Sequence, residues 1–473
     1  MALAVFNTLS RQLENFVPLD PHGKKVGLYC CGPTIHDFAH IGNFRTFVFA
    51  DLMRRYLAYS GYEVKHVMNI TDVEDKIIRR VREAGTSLKD YTAKYEAAFL
   101  EDLKTLACLP ATDMPRATEH IPEIIELVEK LIERGIAYKA VDGSVYFSIE
   151  KYRGCGCTYG QLVKLNFEEM RQGERVSSDE YEKESIADFA LWKARVPEDG
   201  QVFWDSPWGQ GRPGWHIECS AMSMKSLGNS FDLHLGGEDL MFPHHEDEIA
   251  QSEGAGVQEA GKRFVKYWMH GAHLLVEGKK MAKSLGNFFT LRDLLAKGYA
   301  GREIRYLFIS AHYREQFNFT LEGLESARAA IRRLDECLGK LREIAGSTPV
   351  QPADPALLEK IRAELDHDLN VSGAWGEVFI FVSQTNKSLA AGEINEVRAS
   401  ALLSFWAEAD KVFGLGTGAL PSEVPAEFQD LLDQRQAARK AKDFKRSDQI
   451  RDELKAKGWV IEDTPKGPKL KKV

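Results

Sequence analysis

Two hydrophobic periods alternate along the first 70 residues. Residues 24–31 and 62–70 are short, mostly apolar runs, and residues 43–59 between them place apolar side chains three and four positions apart. Short apolar runs on either side of an amphipathic helix are typical of a βαβ unit. The pattern therefore predicts an α/β fold built on a doubly wound parallel sheet.

The rest of the chain predicts three further kinds of region. From about residue 113 to 211 the pattern is irregular, with a helix at 119–134 and a hairpin around Asp142-Gly143. The sheet is expected to resume with strands at 231–235 and 264–270. Residues 321–413 predict helices throughout, and GLGTGALPSEVP after them is typical of a linker.

Charge and cysteine usage narrow the class of protein. The net charge is −8, but residues 434–473 hold 13 Lys and Arg against 6 Asp and Glu, a local basic balance that is enough for nucleic-acid contact, although by itself it is more typical of a solvated terminus. No apolar run approaches the roughly 18 residues that would span a membrane, and MALAVFNTLSRQ predicts a first strand rather than a leader. Seven cysteines without framework spacing suit a reducing cytoplasm.

Two short motifs carry the chemistry of an ATP site. PTIHDFAHIGN ends at Asn43, and KKMAKS holds Lys280 and Lys283. A turn of small residues before a helix offers N–H groups to phosphates, and a lysine loop can neutralise charge on an attacked α-phosphate. His40 and Asn43 are the candidates at the turn. Each motif alone is weak, but in this order they resemble the HIGH and KMSKS signatures of class I aminoacyl-tRNA synthetases.

A second set of residues has the chemistry of a metal site. The set is Cys31, Cys219, His244 and Glu248. His244 and Glu248 are four apart and would share one face of a helix. Two thiolates, an imidazole and a carboxylate suit a tetrahedral zinc ion, although buried cysteines are more often small core residues.

Longer sequence motifs around these residues resemble those of one protein family. YCCGPTIHDFAHIGN, NITDVEDK, DFALWKA, GWHIECSAMSM, LGGEDLMFPHHEDEIAQSE and KMAKSLGNF occur in the order found in cysteinyl-tRNA synthetases. The resemblance implies a Rossmann-like catalytic sheet, ATP with Mg²⁺, L-cysteine and tRNA(Cys) as reaction partners, and one zinc ion on the four metal candidates. It also implies that Thr71, Trp215 and His234 line the cysteine pocket. His245 and Glu246 are expected to face elsewhere on the helix and to be structural.

The implied zinc ion has a chemical purpose. In the family it binds the substrate's thiolate, and the amino acid to be excluded is serine. A shape-matched pocket separates such near-isosteres only ~10–200-fold, whereas discrimination of ~10⁴ requires ~5.5 kcal/mol. A soft thiolate on zinc can supply that difference. We therefore expect no separate editing domain.

Three features need separate comment. Asn43 stands where the family signature has His, and Ala282 stands where it has Ser, which removes a hydroxyl donor. Lys283 keeps the main charge of the loop. Cys155 and Cys157 are too closely spaced for the usual structural zinc loop and are interpreted as loop cysteines.

The C-terminal end resembles the family's anticodon-binding domain. Two helices broken at Lys442-Asp443 precede a short strand-and-turn segment. The residues at family positions associated with the anticodon are Arg439, Phe444, Asp448 and Asp463. Aromatic and guanidinium planes stack on single-stranded bases, so Phe444 can serve where the family often has Trp.

These inferences divide the chain into six parts. We expect a first catalytic half at 1–112, a connective insertion at 113–211, a second catalytic half at 212–265, a stem-contact region with KMAKS at 266–320, a helical bundle at 321–415 and a small α+β anticodon-binding domain at 416–473. A monomer is expected. Two other functions stay open: an ATP-dependent cysteine ligase acting on an amino-sugar, and a non-catalytic zinc protein that binds RNA.

Overall fold

The structure is a computed structural model that describes residues 2–164, 188–281, 285–416, 426–464 and 467–472. Within these ranges the strands are β1 Ala4–Asn7, β2 Gln12–Asn15, β3 Lys25–Cys30, β4 Glu63–Met68, β5 Ala137–Lys139, β6 Val145–Phe147, β7 Phe189–Ala194, β8 Gly211–Pro213, β9 Phe231–Gly237, β10 Val265–Gly271, β11 Leu274–Val276, β12 Lys279–Lys280, β13 Phe317–Phe319, β14 Trp459–Thr464 and β15 Gly467–Lys472. The helices are α1 Ile41–Tyr59, α2 Asp75–Ala84, α3 Leu88–Thr105, α4 Ile121–Glu133, α5 Ile149–Gly154, α6 Trp215–Leu227, α7 Glu246–Gly254, α8 Leu291–Ala296, α9 Gly301–Phe308, α10 Leu321–Ala345, α11 Pro355–Leu365, α12 Val371–Ala390, α13 Glu396–Phe413, α14 Ala426–Lys440 and α15 Phe444–Ala456.

The central sheet is parallel and has the order β10-β9-β3-β4. Helix α1 connects β3 to β4, which confirms the predicted βαβ unit. Every residue of β9 is buried, as expected for a parallel strand covered on both faces. The carboxyl ends of β3 and β9 therefore meet at one edge, where open α/β sheets bind their ligands.

The insertion forms its own antiparallel sheet, β5-β6-β7-β8. Its first hairpin turns at Asp142-Gly143 as predicted, and Gly143 has a φ of 95°, which favours glycine. Strand β8 runs across the expected boundary at 211. Strand β10 belongs to the central sheet and runs to Gly271, so the expected boundary at 265 lies inside the catalytic unit.

One hydrophobic core joins the sheet to the bundle. It contains Leu28 and Phe44 from the βαβ unit together with Leu334 and Trp406 from α10 and α13. The described C-terminal residues instead form a small separate core of Leu432, Ile450, Leu454, Trp459 and Leu470. The helical prediction for 321–413 and the helix break at Lys442 are both confirmed.

No described helix combines the length and the apolar character needed to cross a membrane. Residues 417–425, which hold most of the predicted linker, lie outside the described residues.

Candidate functional site

Four side chains meet at the carboxyl edge of the central sheet. Cys31 directly follows β3, Cys219 lies on α6, and His244 and Glu248 lie just before and within the first turn of α7. All four are buried, and one ligand atom from each lies within 4.8 Å of the others. The Cys31 Sγ atom is 3.8 Å from Cys219 Sγ, 3.5 Å from His244 Nε2 and 3.4 Å from Glu248 Oε1. His244 Nε2 is 3.2 Å from Glu248 Oε1.

These separations fit a tetrahedral zinc ion. Zinc bonds of about 2.3 Å to sulfur and about 2.1 Å to nitrogen or oxygen require separations of about 3.8 Å between sulfurs, about 3.6 Å from sulfur to nitrogen or oxygen, and about 3.4 Å from nitrogen to oxygen. The corresponding observed distances, 3.8, 3.5, 3.4 and 3.2 Å, agree to within about 0.2 Å. These four separations, with all ligand atoms within 4.8 Å of one another, match the donor set and spacing of a zinc site.

Because the cluster is buried, its ligands are disfavoured in their ionised forms unless a cation supplies positive charge. Burial raises the pKa of the Cys31 thiol and of the Glu248 carboxyl well above their ordinary values, and Cys219 adds to both shifts. Burial also lowers the pKa of His244. Among the described residues, Glu248 has ion-pair partners only in histidines. A bound divalent cation would supply the positive charge that favours ionised thiols and carboxylate.

Two histidines hold the Glu248 and His244 ligands from behind the cluster. His234 Nε2 lies 3.0 Å from the second Glu248 oxygen, so one carboxylate oxygen faces the cluster and the other faces β9. His216 Nδ1 lies 2.9 Å from His244 Nδ1, which leaves His244 Nε2 directed at the cluster. Partners of this kind fix the orientation and tautomer of a metal-ligating histidine.

His245 does not face away from the cluster, as the sequence analysis expected. It is fully buried between His234 and Trp268, and its Nε2 lies 4.0 Å from Glu248 Oε1. The error arises because residues 241–245 form a wider turn and the regular helix begins only at Glu246. The direction of the His245 side chain therefore cannot be inferred from α-helical spacing. Glu246 accepts backbone N–H groups from 160–162 and is structural, as predicted.

The three predicted pocket residues surround the cluster to different degrees. Trp215 begins α6, is 39% exposed, and places its ring 4.5 Å from that of His244. His234 is fully buried on β9. Thr71 is buried behind the Cys31 turn, and its hydroxyl accepts a hydrogen bond from Asn69, which in turn accepts the Gly32 N–H. Of the three predicted pocket residues, Trp215 is thus the one most open to solvent.

The HIGN segment caps helix α1. His40 is the N-cap, and its Nδ1 accepts the Asn43 N–H at 3.2 Å while Asn43 Oδ1 accepts the His40 N–H at 3.1 Å. This reciprocal cap satisfies two backbone donors and orients both side chains at the helix N-terminus. Burial lowers the pKa of His40, so its ring is neutral near pH 7. Asn43 therefore replaces the signature histidine in a capping position.

The hairpin that leads into KMAKS lies over this turn. Strands β11 and β12 form the hairpin, and Lys280 is exposed on β12. A Cβ atom on Gly42 would lie 2.8 Å from Met281 Cε, so the Met281 side chain packs where Gly42 has none. Ala282 and Lys283 lie outside the described residues.

Comparisons with known proteins agree with this geometry. A family model of the class I (C) tRNA synthetase catalytic domain matches residues 16–329. The chain is 47% identical to the cysteine–tRNA ligase of Chlamydia muridarum (strain MoPn / Nigg), over 100% of both sequences. The chain belongs to the cysteine–tRNA ligase family. The corresponding protein of Protochlamydia amoebophila is 44% identical over 99% of this chain and 98% of its own length.

Solved structures support the fold of this cysteine–tRNA ligase family member. Methionyl-tRNA synthetase of Mycobacterium tuberculosis, in complex with methionyl-adenylate, matches with a TM-score of 0.57 at 15% identity and covers 86% of this chain and 94% of its own. A leucyl-tRNA synthetase of Agrobacterium radiobacter K84 matches with a TM-score of 0.57 at 12% identity, over 86% and 87% of the two chains. The class I synthetase fold predicted from the sequence is thus confirmed.

The C-terminal unit matches a family model of the cysteinyl-tRNA ligase anticodon-binding domain over residues 422–468. Phe444 begins α15 and is 63% exposed, which is unusual for a large apolar side chain. Arg439 is exposed in the last turn of α14, and exposed Asp448 pairs with Arg451 at 3.0 Å. Asp463 lies on β14, and its side chain is outside the described residues.

Sequence reasoning missed several residues that support this ligase site. His216 was available as a signal, because it precedes Cys219 by three positions and so lies on the same face of α6. His270 lies 2.8 Å from His245 but comes from β10, and no local pattern connects the two.

Proposed function

We propose that this protein activates L-cysteine with ATP and Mg²⁺ to cysteinyl adenylate and then transfers the cysteinyl group to the 3′-terminal adenosine of tRNA(Cys). The observation that carries the proposal is the Cys31, Cys219, His244 and Glu248 cluster at the carboxyl edge of the sheet. It lies in the same catalytic unit as the HIGN turn, so a thiol-selective pocket and an ATP site share one edge. The names of the relatives agree with this reaction.

At the cysteine end, the four ligands would hold one zinc ion. Zinc bound there would supply a Lewis acid that takes the substrate's thiol as a thiolate and has little affinity for the hydroxyl of serine. His234 and His216 hold the Glu248 carboxylate and the His244 ring in place. Trp215 forms the outer wall of the pocket, and Thr71 supports the turn that carries Cys31.

At the ATP end, the first turn of α1 presents the positive end of the helix dipole to the phosphates. His40, held neutral by burial, donates from its remaining ring nitrogen, and Asn43 adds an amide donor. Lys280 and Lys283 neutralise the charge that develops when the cysteine carboxylate attacks the α-phosphate and pyrophosphate leaves.

At the tRNA end, Phe444 and Arg439 present the stacking surfaces that single-stranded bases require, and Asp448 presents acceptors for base edges. Asp463 is proposed to join them from its family position associated with the anticodon. The match of residues 422–468 to an anticodon-binding domain supports tRNA as the acceptor. The amino-sugar alternative offers no account of this domain.

Attachment of labelled cysteine to unfractionated tRNA tests the proposal. Purified protein, ATP and Mg²⁺ should charge tRNA with cysteine and leave it uncharged in a parallel reaction with labelled serine. Cysteine-dependent pyrophosphate exchange without charging would overturn the tRNA part. Equal charging with serine would overturn the role of the cluster in discrimination.

A further inference from the structure

We propose that Arg45 is a positioning residue that fixes the root of the β11–β12 hairpin, and with it the placement of Lys280 over the HIGN turn. The inference rests on the proposed function, because the hairpin matters to the reaction only if its lysines act on ATP. Arg45 itself touches no reacting atom and is assigned no catalytic role.

The guanidinium of Arg45 binds two chain segments that are far apart in sequence. Its Nη1 donates to the carbonyl oxygens of Ala272 at 2.7 Å and His273 at 3.4 Å. Its Nη2 donates to the carbonyl oxygens of His312 at 3.1 Å and Glu315 at 2.7 Å. A planar group with fixed donors thus holds two backbone segments at one point.

Both segments lead directly into strands that form the hairpin's sheet. Residues 272–273 precede β11, and residues 312–315 precede β13, which pairs in parallel with β11 from Leu274 and Phe317 onward. Glu238 makes a second tie to the same point by accepting the His273 N–H at 2.7 Å. The position from which the hairpin leaves the sheet is therefore set by α1 and by the end of β9.

The arrangement connects the two nucleotide motifs through one helix. Arg45 lies two residues after Asn43 on α1, so the helix that presents its N-terminus to the phosphates also holds the root of the lysine hairpin. At the other end of the hairpin, Met281 packs on Gly42 of the HIGN segment. A shift of the root would move Lys280 relative to the helix N-terminus.

The chemistry of Arg45 argues against a simple stabilising ion pair. The residue is 5% exposed, and no carboxylate among the described residues lies within ion-pair distance of it. Burial lowers its pKa to about 10. Glu238 and Glu315 offset part of this burial electrostatically, but the hydrogen bonds of the guanidinium all go to backbone carbonyls. The four carbonyl acceptors share a position in the fold, since all belong to the segments that lead into β11 and β13 at the root of the hairpin.

The test compares Arg45→Lys with Arg305→Lys. Arg305 is also buried on a helix and also donates to two backbone carbonyls, those of Leu106 and Phe413, but it lies away from the hairpin and pairs with Asp51. A lysine at either position keeps a charge and loses the fork of donors. Cysteine-dependent pyrophosphate exchange gives kcat and the KM values for ATP and cysteine, and hydrogen exchange reports on amides 274–281.

We expect Arg45→Lys to lower kcat roughly 10- to 100-fold, since a displacement of about 1 Å can cost that much, with the KM for cysteine unchanged. Amides 274–281 should exchange faster in Arg45→Lys and stay protected in Arg305→Lys. The Arg305→Lys variant should keep its kcat even if it loses as much thermal stability as Arg45→Lys. Equal kcat losses in the two variants, or unchanged protection of 274–281 in Arg45→Lys, would overturn the inference. If Arg45→Lys does not fold, Glu238→Ala removes the second tie and should show the same pattern.

The two proposals fail in different ways. Wild-type protein without cysteine-dependent exchange would overturn the proposed function and, with it, the role of Arg45 in the reaction. Active wild-type protein with an unaffected Arg45→Lys variant would overturn only the inference about Arg45.

Discussion

The proposed cysteine end and the proposed ATP end of the site share one edge of the sheet but are built by different means. At the cysteine end, buried side chains from β3, α6 and the start of α7 converge, and a further layer of histidines holds them. At the ATP end, Asn43 and Lys280 are exposed, and the main features are a helix N-terminus and a hairpin. A ligand distinguished by a single atom requires fixed side chains, whereas phosphates are bound by backbone groups and mobile charge.

The largest effect is expected at the cysteine end. Cys219→Ser should remove the bound metal and lower kcat/KM for cysteine activation roughly a thousandfold, because several kcal/mol of metal-based stabilisation are lost. Metal analysis and pyrophosphate exchange measure the two losses, and ATP binding should persist. Cys337→Ser is the matched control, since Cys337 is equally buried but lies in the bundle. Normal zinc content in Cys219→Ser would show that the ligand assignment is wrong.

A smaller effect is expected at the ATP end. His40→Ala removes the N-cap of α1 and a phosphate donor, and we expect kcat for activation to fall roughly 100-fold, as for the loss of one preorganised donor. Metal content should not change. Asn395→Ala removes an equivalent cap from α13 and controls for a cap loss of about 1 kcal/mol. Zinc loss in His40→Ala would contradict the separation of the two ends.

At the proposed tRNA end, the residue with the largest expected effect is exposed rather than buried. Phe444→Ala should raise the KM for tRNA about tenfold or more, because base stacking contributes roughly 1–3 kcal/mol, while pyrophosphate exchange stays unchanged. Since Phe444 is 63% exposed, the free energy of unfolding should change by less than about 0.5 kcal/mol. Phe428→Ala is the opposite case, as Phe428 packs 5.2 Å from Trp459 and should destabilise the C-terminal unit. Unaltered charging kinetics in Phe444→Ala would remove it from the anticodon surface.

The smallest effect concerns the pH dependence of the metal-free protein. Burial holds the pKa of Glu248 well above 4.5, so the folded chelated protein keeps a proton that the unfolded chain loses. Because the folded state then binds more protons, the free energy of unfolding should fall as pH rises from 6.5 to 8.5, by at most about 1.4 kcal/mol per pH unit for this group. His244 opposes this slope near pH 6.5, because its unfolded imidazole is still partly protonated while its folded pKa is lowered, and it contributes little above about pH 7.5.

Thermal melts of chelated and zinc-loaded protein measure this slope. The chelated protein should lose a few degrees in Tm over the range, the zinc-loaded protein should not, and chelated Glu248→Gln should show a shallower slope. A chelated protein that becomes more stable as pH rises would contradict the assignment of Glu248.

The sequence predicted the parts of the site that depend on residue chemistry. Cys31 and Cys219 are 188 positions apart, and their residue types alone favoured a core role; the local motifs around each ligand, which resemble those of the family, grouped them with His244 and Glu248, and the structure brings one ligand atom of each within 4.8 Å of the others. The βαβ opening was also readable, because a buried parallel strand and an amphipathic helix have different periods. Both predictions used information that is local or restricted to a few residue types.

The missed parts depend on tertiary placement. Arg45 acts on carbonyl oxygens, which every residue has, so no pattern of side chains could reveal its partners. Three of the four strands of the insertion sheet have only three residues, too short for a period to emerge. His245 was misplaced because the turn before α7 is not a regular helix.

The division of the hydrophobic cores has a consequence for protein engineering. The catalytic sheet and the bundle share one core, so neither can be exchanged for that of a relative without repacking the other. The C-terminal unit has its own small core and follows the bundle in sequence after residues 417–425. It is therefore the part of the chain that can most readily be exchanged with that of a relative. Chimaeras joined in that segment would combine the amino-acid choice of one parent with the anticodon choice of the other.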